Sequence, residues 1–211
     1  MIRTNLILAA TVLTAQVSFS TDSPSKESPP VIEEYVIDKE DSKMRFEVAH
    51  LVISTVEGFF KNFEGSFTFA PDRLNADIAK NLTLDVKVDV ASIDTDIEKR
   101  DNHLRSPDFF NAKEFPFMTF KGKSVKITGE KAFDLTGDLT IKGTTKAVTL
   151  KVEYLGKVVA YDRQKVVFKA EAEINRQDFG LKWNDFIEIG PAVGDNITIK
   201  LRVGGVRKKD L

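Results

Sequence analysis

The chain has 211 residues, no cysteine, and 31 basic against 32 acidic side chains, for a formal net charge of −1. That balance excludes the strong attraction to nucleic acid or anionic membrane that marks basic proteins. The missing thiols exclude disulfides, a thiol nucleophile and cysteine-ligated metal, so a fold working in an oxidising compartment must be held by its core alone.

Met1–Ser20 reads as a secretory signal peptide. Arg3 supplies the positive start, Leu6 to Val17 is largely apolar, and Ser18-Phe19-Ser20 sets small residues at −3 and −1 of a cut before Thr21. The apolar run is too short for an integral membrane span, and no cysteine follows it to carry a lipid. Residues 21–34, with Thr21–Ser28 rich in Ser, Pro and charge and then Pro29-Pro30, read as a linker or disordered start.

From Tyr35 the apolar period becomes two, the signature of strands with one dry face. Met44, Phe46, Val48 and His50 share a face, opposite Lys43, Arg45 and Glu47. Gly58 reads as a turn or bulge; Phe59, Phe63, Phe67 and Phe69 line the next strand, closed by Pro71-Asp72. Leu82, Leu84, Val86, Val88 and Val90 alternate cleanly with Thr83, Asp85, Lys87 and Asp89.

Ser92–Phe120 breaks the pattern and predicts a helix. Thr95 and Glu98 are spaced as a capping box, Ile93, Ile97 and Leu104 recur near helical spacing, and Asp96 stands four residues before Arg100. Ser106-Pro107 stops the helix and starts a turn. Five aromatics follow, Phe109, Phe110, Phe115, Phe117 and Phe120, enough ring surface for a lid on a core or a cavity.

Strands then resume at Phe117–Ile127 and Phe133–Ile141, with a hairpin turn at 128–131 and another at Lys142-Gly143-Thr144-Thr145. Val148 to Tyr154 and Val166 to Ile174 follow, joined through a polar turn at 162–164. A loop over 175–194 carries Phe179 and Trp183, and Ile197, Ile199, Leu201 and Val203 form the last strand. Lys208-Lys209-Asp210-Leu211 falls in a solvated tail, 207–211. The sum is an all-β fold of about eight long antiparallel strands, closed as a barrel, with a helical insertion after the third. A barrel of that size either fills with its own side chains or holds one small ligand, and sixteen Phe leave both options open.

Imidazole chemistry rests on His50 and His103 alone. Asp101 and His103 stand two apart on a helix, roughly 200° around it, and cannot share an ion. No third ligand is at hand, so no metal and no cofactor is expected. His50 is either a polar group at the barrel mouth bonded to a neighbour or the contact for a ligand's polar head. Arg100, Asp101, Arg105 and Asp108 read as an ion-pair network pinning the lid rather than as catalysts.

Four segments carry a family resemblance. His50-Leu51-x-Ile53-Ser54-x-Val56-x-Gly58-x-Phe60 comes first. Ser92-Ile93-Asp94-Thr95 follows, with Arg100-Asp101-x-His103-Leu104-Arg105-Ser106-x-Asp108-Phe109-Phe110. Then come Gly137 to Lys146 and Ile174-Asn175-Arg176-x-Asp178-Phe179-Gly180. In that order they resemble the YceI family, whose usual Gly is replaced by Asp96 and whose hydrophobic residue is replaced by Thr145.

The resemblance implies a lipocalin-like barrel over residues 35–206 and a periplasmic protein often assembled as a homodimer. It implies a polyisoprenoid or other long apolar chain, such as a quinone tail or fatty amide, held in the lumen for transport or storage without catalysis. Lumen contacts are then expected from Phe46, Val48, His50, Phe63, Leu84, Val86, Val88, Phe109, Phe110, Phe117, Phe120, Leu139, Ile141, Phe168, Phe179 and Trp183. Two other readings compete: an enzyme acting on a lipid or quinone head group through His50, Asp101 and His103, and a stress-linked structural protein with a filled barrel.

Overall fold

Strands of this length can satisfy every backbone group only by pairing on both edges, and here they do so by closing on themselves. The computed structural model describes residues 30–51, 53–72, 83–184, 186–187 and 190–211. The expected signal peptide Met1–Ser20, residues 21–29 of the linker and Leu82 lie outside the described residues.

The elements in order are β1 (Glu33–His50), β2 (Ser54–Phe60), β3 (Phe63–Phe69), β4 (Leu84–Asp89), a 3-10 turn at Val90–Ser92, β5 (Ile93–Asp94) and helix α1 (Glu98–Arg105). After them come β6 (Phe117–Ile127), β7 (Ala132–Ile141), β8 (Thr144–Ala160) and β9 (Arg163–Asn175). A turn at Arg176–Phe179, the short pair β10 (Phe186–Ile187) and β11 (Gly190–Pro191), β12 (Val193–Arg207) and a last turn at Lys208–Asp210 complete the chain.

The sheet runs β12-β9-β8-β7-β6-β4-β3-β1, and β1 pairs back onto β12 to close the ring. β2 continues the path of β3 along the second half of β1, so the two form one stave of an eight-stave antiparallel barrel. β5 adds to β2, and α1 follows the third stave, as the sequence predicts.

One end of the barrel gathers α1, the Lys142-Gly143 turn and the residues around Arg176; we call it the α1 end. The other gathers the start of β1, the Tyr161-Asp162 turn and the last turn; we call it the tail end. Both of those two-residue turns have two consecutive positive φ values, 48° and 74° in the first, 52° and 59° in the second. Such turns match the right-handed twist of the strands they join. They are shorter than the sequence suggested: Thr144 and Thr145 already belong to β8, and Gln164 is buried in β9.

Two expectations are corrected by register, and β1 carries a bulge that alternation did not show. Gly58 is no turn but a mid-strand residue opposite Phe46, and a Cβ there would stand 2.3 Å from that ring's Cζ. The glycine exists because the Phe46 ring lies across it. Next, Lys61 and Asn62 fall between β2 and β3, so alternation slips by one and Phe60 rather than Phe59 lines the interior. Finally, β1 is out of step with β12 between Asp38–Gly204 and Lys43–Arg202. Buried Ser42 repairs that bulge, accepting from the Gly204 N–H at 2.9 Å and donating to its carbonyl at 3.3 Å.

A helix forms within Ser92–Phe120, but only over Glu98–Arg105, with Ile93 in β5 instead, and the capping box does not form. α1 starts at Glu98 with Ile97 as N-cap and no side-chain cap bond. Thr95 stands before it, its hydroxyl committed to Asp101, and Asp96 between them takes φ 63°. That left-handed backbone is the conformation glycine adopts without steric cost. Here the Asp94 carboxylate steadies it by accepting the Asp96 N–H at 2.8 Å. Asp96 is thus off the helix, and Arg100 donates to Thr95 instead.

The last five residues are not a free solvated tail either. Arg207 belongs to β12 and makes a two-pronged pair with Asp210, whose carboxylate also accepts the Gln164 N–H.

Candidate functional site: the barrel interior

Alternation sends one side chain in two toward the axis, and the inward set here is aliphatic and aromatic on every stave. It does not fill the barrel. A cavity of about 280 Å³ remains, lined by residues of all eight staves and of the segments over the α1 end. Val193 and Val203, ten residues apart on β12, both line it. At ~3.3 Å per residue and a strand tilt of ~40° the cavity is roughly 25 Å long, so it is a narrow tunnel.

Phe46, Val48, Leu84, Val86, Val88, Phe109, Phe110, Phe120, Leu139, Ile141 and Phe168 line this tunnel. His50, Phe63, Phe117, Phe179 and Trp183 do not. Phe117 cannot share a strand face with Phe120 three residues on. It points outward, half exposed, with the Lys87 ammonium 3.8 Å from its ring centre. Phe63 and Phe179 are buried in the wall. His50 ends β1 opposite Ser54 and Val193, where its carbonyl accepts the Ser54 hydroxyl. Trp183 packs outside the tunnel on His103 and Phe109.

Ile37, Met44, Phe60, Phe67, Phe69 and Leu150 were not expected as lining residues and are part of it. Ile199, which alternation along the last strand already turns inward, lines it with Ile197, Leu201 and Val203 of β12. Their signal was present in the same period-two pattern. The slip at Lys61-Asn62 hid Phe60, and the bulge in β1 hid Ile37. Phe120 resembles Phe46 in resting on a glycine, since a Cβ at Gly137 would meet its Cζ at 2.5 Å. At both places a ring comes so close to the neighbouring strand that only glycine leaves it room.

The polar groups that might have done chemistry are committed elsewhere. Buried Asp101 accepts the Thr95 N–H at 2.9 Å and hydroxyl at 2.6 Å. Arg105 donates to the carbonyls of Ala91 and Ile93, fastening α1 to the strand before it. The expected ion-pair network is therefore mostly a set of charge-assisted bonds to backbone and hydroxyl groups, which are as strong. The His103 ring and the Asp108 carboxylate, half exposed, meet at hydrogen-bond distance, 3.1 Å.

Arg176 was quoted only within a motif and proves to be a main structural device of the α1 end. Nearly wholly buried, its guanidinium donates to the carbonyls of Leu181, Trp183, Val193 and Gly194 and to Asp195. Burial pulls it below the ordinary arginine value, and Asp195 opposes that pull. Among the described residues no group of three or more His, Asp or Glu side chains is placed to hold a metal.

Comparison with known proteins agrees with this architecture. A family model described as YceI-like domain matches residues 35–204. Protein YceI of Escherichia coli O157:H7 is 37% identical over 182 residues, covering 85% of this chain and 90% of that one. The crystal structure of Burkholderia cenocepacia BcnA superposes with a TM-score of 0.69 at 25% identity, covering 80% of this chain and 98% of that one. A Saccharophagus degradans domain described as polyisoprenoid binding and implicated in plant cell wall breakdown shares the fold. Its TM-score is 0.61 at 11% identity, over 82% of this chain and 98% of that one.

Proposed function

Because the chain belongs to the YceI family, we propose that its barrel carries or stores one long apolar chain, a polyisoprenoid or a molecule of similar shape. The observation that carries this reading is the tunnel: long, narrow and walled almost entirely by hydrocarbon. Its length approaches the ~30 Å hydrocarbon core of a bilayer, so it suits an extended chain rather than a compact ligand. The distant structural neighbour described as polyisoprenoid binding is in keeping with that choice.

Affinity needs no polar anchor. Burying on the order of 600 Å² of ligand hydrocarbon at ~25 cal/mol/Å² is worth roughly 15 kcal/mol gross, before association costs of ~4–15 kcal/mol. The protein acts by holding its cargo, without catalysis; Asp101 and His103 are occupied by Thr95 and Asp108, away from the tunnel. The reading includes export: Met1–Ser20 directs the chain to the periplasm, where a carrier for water-insoluble chains between membranes has a use.

Organic extraction and mass spectrometry of the purified mature protein test this directly. An apolar chain molecule should be recovered in sub-stoichiometric to stoichiometric amount. Protein that yields none, and that takes up neither isoprenoid alcohols nor fatty amides, would end the proposal.

A further inference from the structure

Among the described residues, the two ends of the barrel are held together by different chemistry. At the tail end, Tyr35 is wholly buried; its hydroxyl donates to Glu33 at 3.0 Å and accepts from Gln164 at 2.6 Å. Gln164 also donates to Glu33 at 2.6 Å, and Arg207 joins Glu33 to Asp210. These groups stand on β1, β9, β12 and the last turn, so parting those strands there leaves the buried Tyr35 hydroxyl and Gln164 amide without partners and breaks part-buried ion pairs. Unpairing buried polar groups is a costly local opening.

At the α1 end the cover is made of two pieces. One is the end of α1 and the turn after it, which present Leu104, Phe109 and Phe110 to the tunnel. The other is Arg176–Asn184, which presents Leu181. Each piece is tied firmly to its own base, the first through Arg105 and the second through Arg176. Between the pieces the described residues make ring contacts: His103 edge-on to Trp183 at 4.7 Å and Phe109 tilted against Trp183 at 5.1 Å. Ring contacts separate at lower cost than the hydrogen bonds of the buried Tyr35 and Gln164, and an apolar chain sliding between the rings replaces the contact it breaks.

We infer that cargo enters and leaves the barrel through the seam between the α1 turn and Arg176–Asn184, with Trp183 as its latch. The inference rests on the carrier reading and adds the route. The tail end is a fixed stop against which the inner end of the chain abuts.

A chain without cysteine allows a clean test. His103→Cys with Trp183→Cys puts two thiols across the seam. Glu34→Cys with Lys208→Cys replaces an ion pair of 2.7 Å and puts two across the tail end. Each delipidated double variant is compared with and without a bismaleimide staple, following uptake and release of the fluorescent polyene cis-parinaric acid by stopped flow. Stapling the seam should slow both rates at least tenfold, and stapling the tail end should leave them within twofold. Unchanged exchange with the seam stapled, or slowing at the tail end, overturns the route. Wild-type protein that takes up no probe overturns the carrier reading and the route with it.

The unmodified chain supplies a second measurement, because Trp183 is its one tryptophan. Energy transfer from Trp183 to the incoming polyene should rise ahead of the final probe fluorescence. Transfer that rises no earlier also overturns the route.

Discussion

Replacing Val86 with tryptophan distinguishes a lumen from a filled core. Val86 stands mid-strand on β4 between Gly65 of β3 and Phe120 of β6, and its side chain faces the tunnel. An indole placed there enters existing space. Were the interior close-packed, the extra bulk would cost ~1–3 kcal/mol. In a chain of this size that lowers the melting temperature by roughly 2–4 °C for each kcal/mol. With the tunnel present, the delipidated variant should melt within about 2 °C of wild type, since no neighbour is displaced. Binding should suffer instead. An aromatic side chain covers ~150–250 Å², and at ~25 cal/mol/Å² the ligand loses about 4–6 kcal/mol of burial, or roughly 10³- to 10⁴-fold in affinity. The control is Lys87→Trp, one residue along, whose ammonium lies over the outward Phe117 ring. It should change neither quantity by much. Calorimetry of the delipidated proteins and titration with a fluorescent isoprenoid alcohol measure both. A Val86→Trp variant that melts far below wild type would mean the barrel is filled by its own side chains; equal behaviour at 86 and 87 would mean the register is wrong.

Three further outcomes are expected. Asp101→Ala leaves the Thr95 N–H and hydroxyl without their buried acceptor and should cost about 3 kcal/mol. Hydrogen exchange should then quicken across Glu98–Arg105 and hold steady in the strands; wild-type exchange in α1 would show that Asp101 does not secure the helix. Gly58→Ala drives a methyl into the Phe46 ring and against the Thr95 methyl, and should cost ~1–3 kcal/mol, part of it recovered by adding Phe46→Leu. Additive effects in that cycle would refute the ring-over-glycine contact. Glu33 and Asp38 both titrate below the ordinary carboxylate range. For Asp38 the hydrogen bond from Lys165 is the main cause; for Glu33 burial pushes upward but the bonds from Arg207, Gln164 and Tyr35 outweigh it. Groups so depressed add stability above the unfolded carboxylate range, lost as pH falls through their folded values. Melting temperature should therefore drop on acidification from about pH 5 to 3, and Glu33→Gln with Asp38→Asn should flatten the drop; parallel curves would refute the assignment.

Much of this protein was legible because a strand's period is a local property. Leu84, Val86 and Val88 announce an inward face by alternation alone, and Ile197 to Val203 do the same without help from any neighbour. The helix was equally plain, because proline at 107 ends it whatever surrounds it. The closed ring, the place of α1 after the third stave and a hydrocarbon interior followed from such patterns.

What the sequence could not decide was anything set by a partner far along the chain. The slip at Lys61-Asn62 that exchanges Phe59 for Phe60 exists only because β2 and β3 pair with different halves of β1. Thr95 looked like a cap for its own turn, yet its hydroxyl goes to Asp101, a charged acceptor that folding brings within 2.6 Å. The seal of Tyr35 with Gln164 joins residues 129 apart. Whether sixteen phenylalanines fill the barrel or only line it was likewise undecided, since composition fixes the volume of the side chains and not their tilt. Phe46 and Phe120 press close on Gly58 and Gly137 of neighbouring strands, cross-strand contacts that composition alone does not reveal, and both line the open interior.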